Sequence, residues 1–302
     1  MASDNVRALD LITQGLRVAP NNADLLRGSG LNEAALGRWE VALTHLQRAR
    51  TIDPRSVRIA HQLAAILCRL RRYSECREAA DHVLRLAPSN FVEIQLKVLA
   101  GLSQGDLAGA RTTLAAAPPT ADSAGFVAYL AADNGLYWVL DEARQSFLLG
   151  LPPSAIDNSR GEWGLALAGT YALRRDPARA RAYADSARAD LETQIRNTPQ
   201  NARRHVLLGL ALAYLGRKRE AMQEGERGVA LDPISKDQLN GPYIQQQLVR
   251  IYILVGEPDK ALDQLEPLLK IPYYLSPGWL RIDPTFDPLR KNPRFQRLVA
   301  AQ

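Results

Sequence analysis

Pro20, Pro54 and Pro88 stand 34 residues apart, and Pro199 and Pro233 repeat the same interval. A proline lacks the amide that a helix interior needs, so each of these closes one segment before the next begins. Two residues beyond four of them come Asn22, Ser56, Asn90 and Asn201, whose side chains accept hydrogen bonds from unpaired first-turn amides. The spacing predicts helix starts near residues 23, 57, 91 and 202 and a chain built from like units.

Counted from the residue after each cap, units begin near Ala23, Val57, Phe91, Ala124, Gly161, Ala202 and Pro242, with half a unit before the first. The twentieth position is small throughout: Ala42, Cys76, Ala110, Ala143, Ala180, Ala221 and Ala261, and Ala8 in the half-unit. Small residues at a fixed register let two antiparallel helices cross closely. The fifteenth position is Gly37, Gly105, Gly216 and Gly256 in four units, supplying the left-handed conformation that ends a helix. Arg71, Trp138 and Arg175 replace it elsewhere, which predicts turns built differently there. Asp176-Pro177 and Glu257-Pro258 mark starts of second helices, where proline at the first position costs no hydrogen bond. Apolar or small residues recur three to four apart, as in Leu26, Gly30 and Ala34. Each unit is thus a helix hairpin that buries its apolar face only by stacking on a neighbour.

This period and pattern resemble the tetratricopeptide repeat. The expected fold class is all-α, a tetratricopeptide-type superhelix (α-solenoid) of about eight units with a Pro-rich C-terminal cap. The expected organisation has an orphan second helix or N-terminal cap over 1–22 and three regular units over 23–121. An irregular unit then covers 122–160, three units with a longer helix and an inserted loop cover 161–270, and the cap covers 271–302. The unit at Gly161 reaches its proline seven residues late, which predicts about two extra turns in its second helix. Residues 234–241 insert a loop, and Pro118-Pro119 and Pro152-Pro153 punctuate two irregular joints. Gly225 and Gly228 fall inside a second helix, where close packing by a neighbour is the expected reason.

From about Asn134 onward the resemblance is more specific. The segments 180–187, 209–218 and 231–237, with the ending Tyr273-Tyr274-Leu275-Ser276-Pro277-Gly278-Trp279 through Phe295, are similar to the C-terminal repeat half of bacterial serine/threonine protein kinases and related regulators. That resemblance implies a non-catalytic interaction or regulatory region of a signalling protein, with catalysis lying upstream. No kinase loop motif occurs here, so no catalytic residue carries over. The half-unit from about Asn5 to Val18 fits either a chain cut from something longer or a natural capping helix.

Of 302 residues, 38 are Lys or Arg against 32 Asp or Glu, a net charge of +6, and 46% are apolar, which excludes a disordered tail. The basic excess is 32 Arg and 6 Lys, dispersed and interleaved with acids, so it reads as solvated helix faces; nucleic-acid binding is the alternative. Cys68 and Cys76 form no Cys-x-x-Cys pair, and neither a disulfide framework nor a zinc site is expected; both read as small buried residues. No cofactor or metal is implied. No apolar run approaches the roughly 18 residues of a membrane span, and no export signal is visible, so cytoplasm is the expected compartment.

Gly101-Leu102-Ser103-Gln104-Gly105 matches the Gly-x-Ser-x-Gly of a nucleophile elbow, but an elbow joins a strand to a helix and these residues fall at a helix end. His45, His61, His82 and His205 form no metal pattern, and each is expected to be satisfied or exposed. Trp39 and Tyr73 share a register near second-helix starts and read as interhelical packing. The candidate binding residues line the first helices of the units: Arg27, Arg58, His61, Arg69, Gln95, Arg203, Tyr243, Gln246 and Arg250. Arg forks there suit an acidic or C-terminal carboxylate peptide, making the expected partner a protein or peptide and the chain not an enzyme. The paired basic residue and Asn of the chaperone-binding clamp are missing, since Leu31 follows Arg27 and Ala65 follows His61.

Overall fold

A computed structural model describes residues 2–117, 123–133, 135–156 and 159–300. Among them every regular element is helical, and the chain divides into two compact units.

The first unit comprises Met1–Pro118, Pro233–Pro242 and Ile271–Ser276. In it α1 (Ala2–Val18) packs on α2 (Ala23–Ala35), which pairs with α3 (Trp39–Ile52). The hairpins α4 (Val57–Arg69) with α5 (Tyr73–Leu86), and α6 (Phe91–Ser103) with α7 (Leu107–Ala115), follow. The caps form where the sequence places them: Asn22 accepts from Leu25 N at 3.0 Å, Ser56 from Ile59 N at 3.4 Å and Asn90 from Val92 N at 3.2 Å. Ala42, Cys76 and Ala110 are buried at the crossings.

The second unit comprises Pro119–Asp232, Tyr243–Lys270 and Pro277–Gln302. It holds α8 (Ser123–Asp133), a 3-10 turn at Leu136–Trp138, α9 (Glu142–Leu149) and a second 3-10 turn at Pro153–Ile156. The hairpins α10 (Arg160–Leu173) with α11 (Pro177–Asn197), and α12 (Ala202–Tyr214) with α13 (Lys218–Leu231), share one core built on Leu191, Leu207, Leu210 and Ile251. Next come α14 (Gly241–Leu254), whose first two residues lie in the first unit, and α15 (Pro258–Leu268). The chain ends with α16 (Pro277–Ile282), a 3-10 turn at Pro284–Leu289 and α17 (Pro293–Ala300). Asn201 caps α12 by accepting from Arg204 N at 3.1 Å. At 21 residues α11 has the two extra turns expected. The ending closes on the stacked rings of Phe286 and Phe295, 6.0 Å apart.

Four expectations are corrected. Arg71 and Arg175 do not build different turns: both adopt left-handed φ values of 61° and 59°. Arg71 N reaches Cys68 O at 3.0 Å and Arg72 N reaches Leu67 O at 2.9 Å, reproducing the bonds from Gly37 N to Ala34 O and Arg38 N to Glu33 O. The helix end dictates the conformation, and the two Arg accept its steric cost of about 1–2 kcal/mol. Trp138 does differ, lying in the 3-10 turn with its ring 6.2 Å from that of Trp279.

Cys68 and Cys76 are joined by a disulfide between α4 and α5, with Cα atoms 5.1 Å apart. Sequence spacing missed it because the two positions meet only through the hairpin crossing. Ala143 is exposed, since α9 is short and buries Leu148 instead. His45 Nδ1 is buried without a hydrogen-bond partner among the described residues, whereas His82 Nε2 lies 2.9 Å from Pro54 O and His205 lies between Glu224 and Pro199 O.

Gly228 bears out the close-packing reading: a Cβ there would lie 2.5 Å from Val206 Cγ1 and 2.9 Å from Ala202 O. Ser103 sits at the end of α6, its Oγ 2.8 Å from Leu99 O and 2.6 Å from Tyr274 O, so no strand-to-helix elbow surrounds it. The Pro118-Pro119 joint lies outside the described residues.

Candidate functional site

The sequence-selected residues divide between the two units. In the first, Arg27 Nε and Arg58 Nη2 converge on Asp24 at 3.3 and 2.8 Å, and Arg27 Nη1 also donates to Gln62 Oε1 at 3.2 Å. His61 Nδ1 lies 2.7 Å from Glu93 Oε2, a carboxylate with no exposed surface whose other oxygen has no hydrogen-bond partner among the described residues. Gln95 is buried, its Nε2 without a partner among the described residues. Arg69 lies over the rings of Tyr274 and Tyr273, 4.8 and 5.8 Å from their centroids. Much of this face is therefore committed to contacts within the unit.

In the second unit α10, α12 and α14, with the end of α8 and the turn after it, line a narrow cleft of about 20 Å³, room for about one water molecule. Arg203, near the start of α12, stacks on the Tyr243 ring at 4.8 Å. It also pairs with Glu162 at 3.3 Å and Asp133 at 3.5 Å. Gln246 is partly buried on α14.

Arg250, two turns along α14 from Tyr243, donates from Nη1 to Gln247 Oε1 at 2.9 Å and from Nη2 to Tyr137 Oη at 3.2 Å. No carboxylate lies within 4.0 Å of it among the described residues. Tyr137 Oη is 3.3 Å from Tyr214 Oη. Burial lifts the Tyr214 phenol well above its ordinary range and pushes Tyr243 up to about 12, Arg203 partly offsetting the latter. These phenols are therefore neutral hydroxyls at any physiological pH.

Two glycines make this arrangement possible. Gly135, in the left-handed region at φ 65°, would place a Cβ 2.6 Å from Arg250 Nη1. A Cβ on Gly169 would lie 2.5 Å from Tyr137 Cε1. Sequence reasoning selected Arg203, Tyr243 and Arg250 but missed Tyr137, Tyr214 and Gln247. Tyr214 occupies the thirteenth position of its unit, a first-helix position of the kind used to select the others, so its signal was present. Tyr137 lies in the irregular turn after α8, where the period gives no register.

Among the described residues no helix is long and apolar enough to cross a membrane, and no group of three or more His, Cys, Asp or Glu could hold a metal ion. No family model matches the chain, and no curated protein matches it. Among solved structures, the chain is similar to TTC0263, a thermophilic tetratricopeptide protein of Thermus thermophilus, at 19% identity and a TM-score of 0.30. That match covers 83% of this chain and 91% of the other. A tetratricopeptide repeat protein from Parabacteroides merdae ATCC 43184 matches at 12% identity and a TM-score of 0.38, covering 99% and 92%. YrrB, described as a tetratricopeptide protein with an unusual peptide-binding site, matches at 14% and 0.34, covering 75% and 94%. The fold class, an all-α tetratricopeptide-type α-solenoid, rests on the chain's own helix hairpins and their 34-residue period.

Proposed function

We propose that this protein is a non-catalytic interaction module that binds a partner protein or peptide on the first-helix face of its second unit. The observation that carries the reading is the face of α10, α12 and α14, where aromatic rings and a guanidinium with no carboxylate in contact among the described residues converge beside a narrow cleft. Closed repeat cores are apolar, whereas a cleft with a few convergent polar groups is the usual form of a recognition site. The resemblance of the second half to repeat regions of bacterial signalling proteins supports a regulatory setting. The disulfide favours an oxidising compartment over the cytoplasm expected from the sequence.

A nucleic-acid role is less well supported, because many arginines are neutralised locally. Arg72, Arg188, Arg217 and Arg294 each have a carboxylate within 3 Å. A peptide display selection on the full chain tests the reading. Selected peptides are then measured against Tyr243→Ala with Arg250→Gln, and against Arg27→Glu with Arg58→Glu and Arg69→Glu. Loss in the first variant alone supports the second unit, and loss in the second alone moves the site to the first. Peptides indifferent to both, or preferential binding of a DNA or RNA duplex with a steep salt slope, overturn it.

A further inference from the structure

We propose that Arg175 and Arg181 hold the phosphate of a phosphomonoester whose ring rests on Tyr214 and Pro177. These residues, with Ala172 and Ala180, line a cleft of about 420 Å³ beside the turn from α10 to α11. That volume is within the roughly 300–1,000 Å³ of small-ligand sites. Neither Tyr243 nor Arg250 lines it, so the phosphate site stands or falls apart from the partner face.

Charge at this corner is unevenly matched. Four arginines lie between residues 174 and 181. Arg174 pairs with Glu142 at 3.7 Å and donates to Ser146 Oγ at 3.1 Å. Arg179 pairs with Asp176 at 3.5 Å and lies over the Tyr171 ring at 5.4 Å. Arg175 and Arg181, the two that line the cleft, form no ion pair among the described residues, and no acid lines the cleft with them. Two uncompensated guanidinium groups balance a dianion, and their planar forks match phosphate oxygens. Asp176 caps α11 by accepting from Arg179 N at 3.0 Å, so the charge balance rests on the two side chains and not on that helix end. The cleft of about 300 Å³ at Arg50, His82 and Arg85 is less suited, because Glu78 lines it too.

Backbone conformation gives an independent reason. Gly37, Gly105, Gly216 and Gly256 take the left-handed position after a first helix, whereas Arg71 and Arg175 hold it at a steric cost. Arg71 places its guanidinium 3.4 Å from Leu275 O, within the first unit. Arg175 has no side-chain hydrogen bond among the described residues, so no contact of its own offsets the strain. Strain kept without an internal contact points to a residue held for something outside the chain.

The walls decide what accompanies the phosphate. Ala172, Pro177, Ala180 and Tyr214 offer apolar and aromatic surface, which a phosphorylated ring covers and inorganic phosphate leaves wet.

The test is calorimetric titration of the full chain with phenyl phosphate, phenyl sulfate and inorganic phosphate at about pH 8, where the phosphate monoester is a dianion. Phenyl phosphate is expected to bind about ten- to a hundredfold tighter than phenyl sulfate, which has the same shape and one charge less. Arg175→Gly places at this turn the residue that four other hairpins use, so it should keep or raise the unfolding midpoint while weakening phenyl phosphate about tenfold or more. Arg181→Gln should weaken it similarly. Arg174→Gln, and Tyr243→Ala with Arg250→Gln, should leave it unchanged. N-acetyl-phosphotyrosine amide and adenosine monophosphate separate the sources: the tighter of the two assigns the phosphate to a polypeptide or to a free nucleotide. Equal binding of phenyl phosphate and phenyl sulfate, inorganic phosphate bound as tightly as phenyl phosphate, or unaltered affinity in folded Arg175→Gly overturns the proposal.

Discussion

The indole of Trp39 donates from Nε1 to Gln238 Oε1 at 3.2 Å, joining residues 199 positions apart within the first unit. Gln238 N also donates to Ala35 O at 2.9 Å, so the loop that the sequence marks as an insertion is fastened to the tip of the α2–α3 hairpin. Gly37 completes the joint, since a Cβ there would lie 2.4 Å from Gln238 Nε2. Gln238→Ala leaves a buried indole donor unmatched and should destabilise the protein by about 1–3 kcal/mol in urea unfolding. Gly37→Ala should cost more than Gly216→Ala, because both require a left-handed alanine but only Gly37 is crowded. Equal costs at the two glycines would show that the loop does not rest on this turn.

The Cys68–Cys76 bond closes a loop of sequence separation 8, and both sulfurs are buried. Loop-closure entropy assigns such a bond about 2–3 kcal/mol, so replacing both cysteines by Ala should lower stability by at least that amount. Thiol titration of protein unfolded without reductant should find no free thiol. Two titratable thiols would show that the pair is reduced in the native protein.

Gly228 lies inside α13, where alanine would ordinarily gain about 1 kcal/mol of helix propensity. The contacts to Val206 Cγ1 and Ala202 O reverse that sign. Gly228→Ala should destabilise by about 1–3 kcal/mol, the range for overpacking a well-filled core. A stabilised variant would mean that α12 and α13 can separate without loss.

Asp283 is buried, and its pKa is raised above the ordinary carboxyl value by that burial, with the bonds from Trp279 and Thr285 opposing the shift. A carboxyl with a raised folded pKa binds its proton more tightly when native, so its contribution grows as pH falls through the folded pKa towards the unfolded value. The stability of wild type relative to Asp283→Asn should therefore rise from neutral pH towards about pH 4. Denaturation midpoints across that range provide the measurement, and a gap that narrows on acidification would contradict the burial argument.

Much of the scaffold was legible because it is written in short-range chemistry. Proline spacing, the Asn and Ser caps and the small twentieth position each constrain a few neighbouring dihedrals or one helix crossing. Arg71 and Arg175 misled for a related reason: glycine advertises the left-handed turn, but the demand comes from the helix end and not from the residue. In the site, Arg203, Tyr243 and Arg250 could be selected by register. Nothing local marks Tyr137 as the partner of Arg250, 113 residues away.

The sequence by itself determined a repeated helix hairpin, its boundaries and the residues that face along its first helices, since these follow from backbone sterics and the helical period. Only the tertiary structure decided that Arg27 and Arg58 share one aspartate, that Arg203 has two acids and that Arg250 has none in contact. It also decided that Cys68 meets Cys76 and that Tyr274 covers Arg69. Such pairings depend on how successive hairpins stack and where distant segments return. A period fixes which face a side chain takes, but the partner it meets there is set by packing.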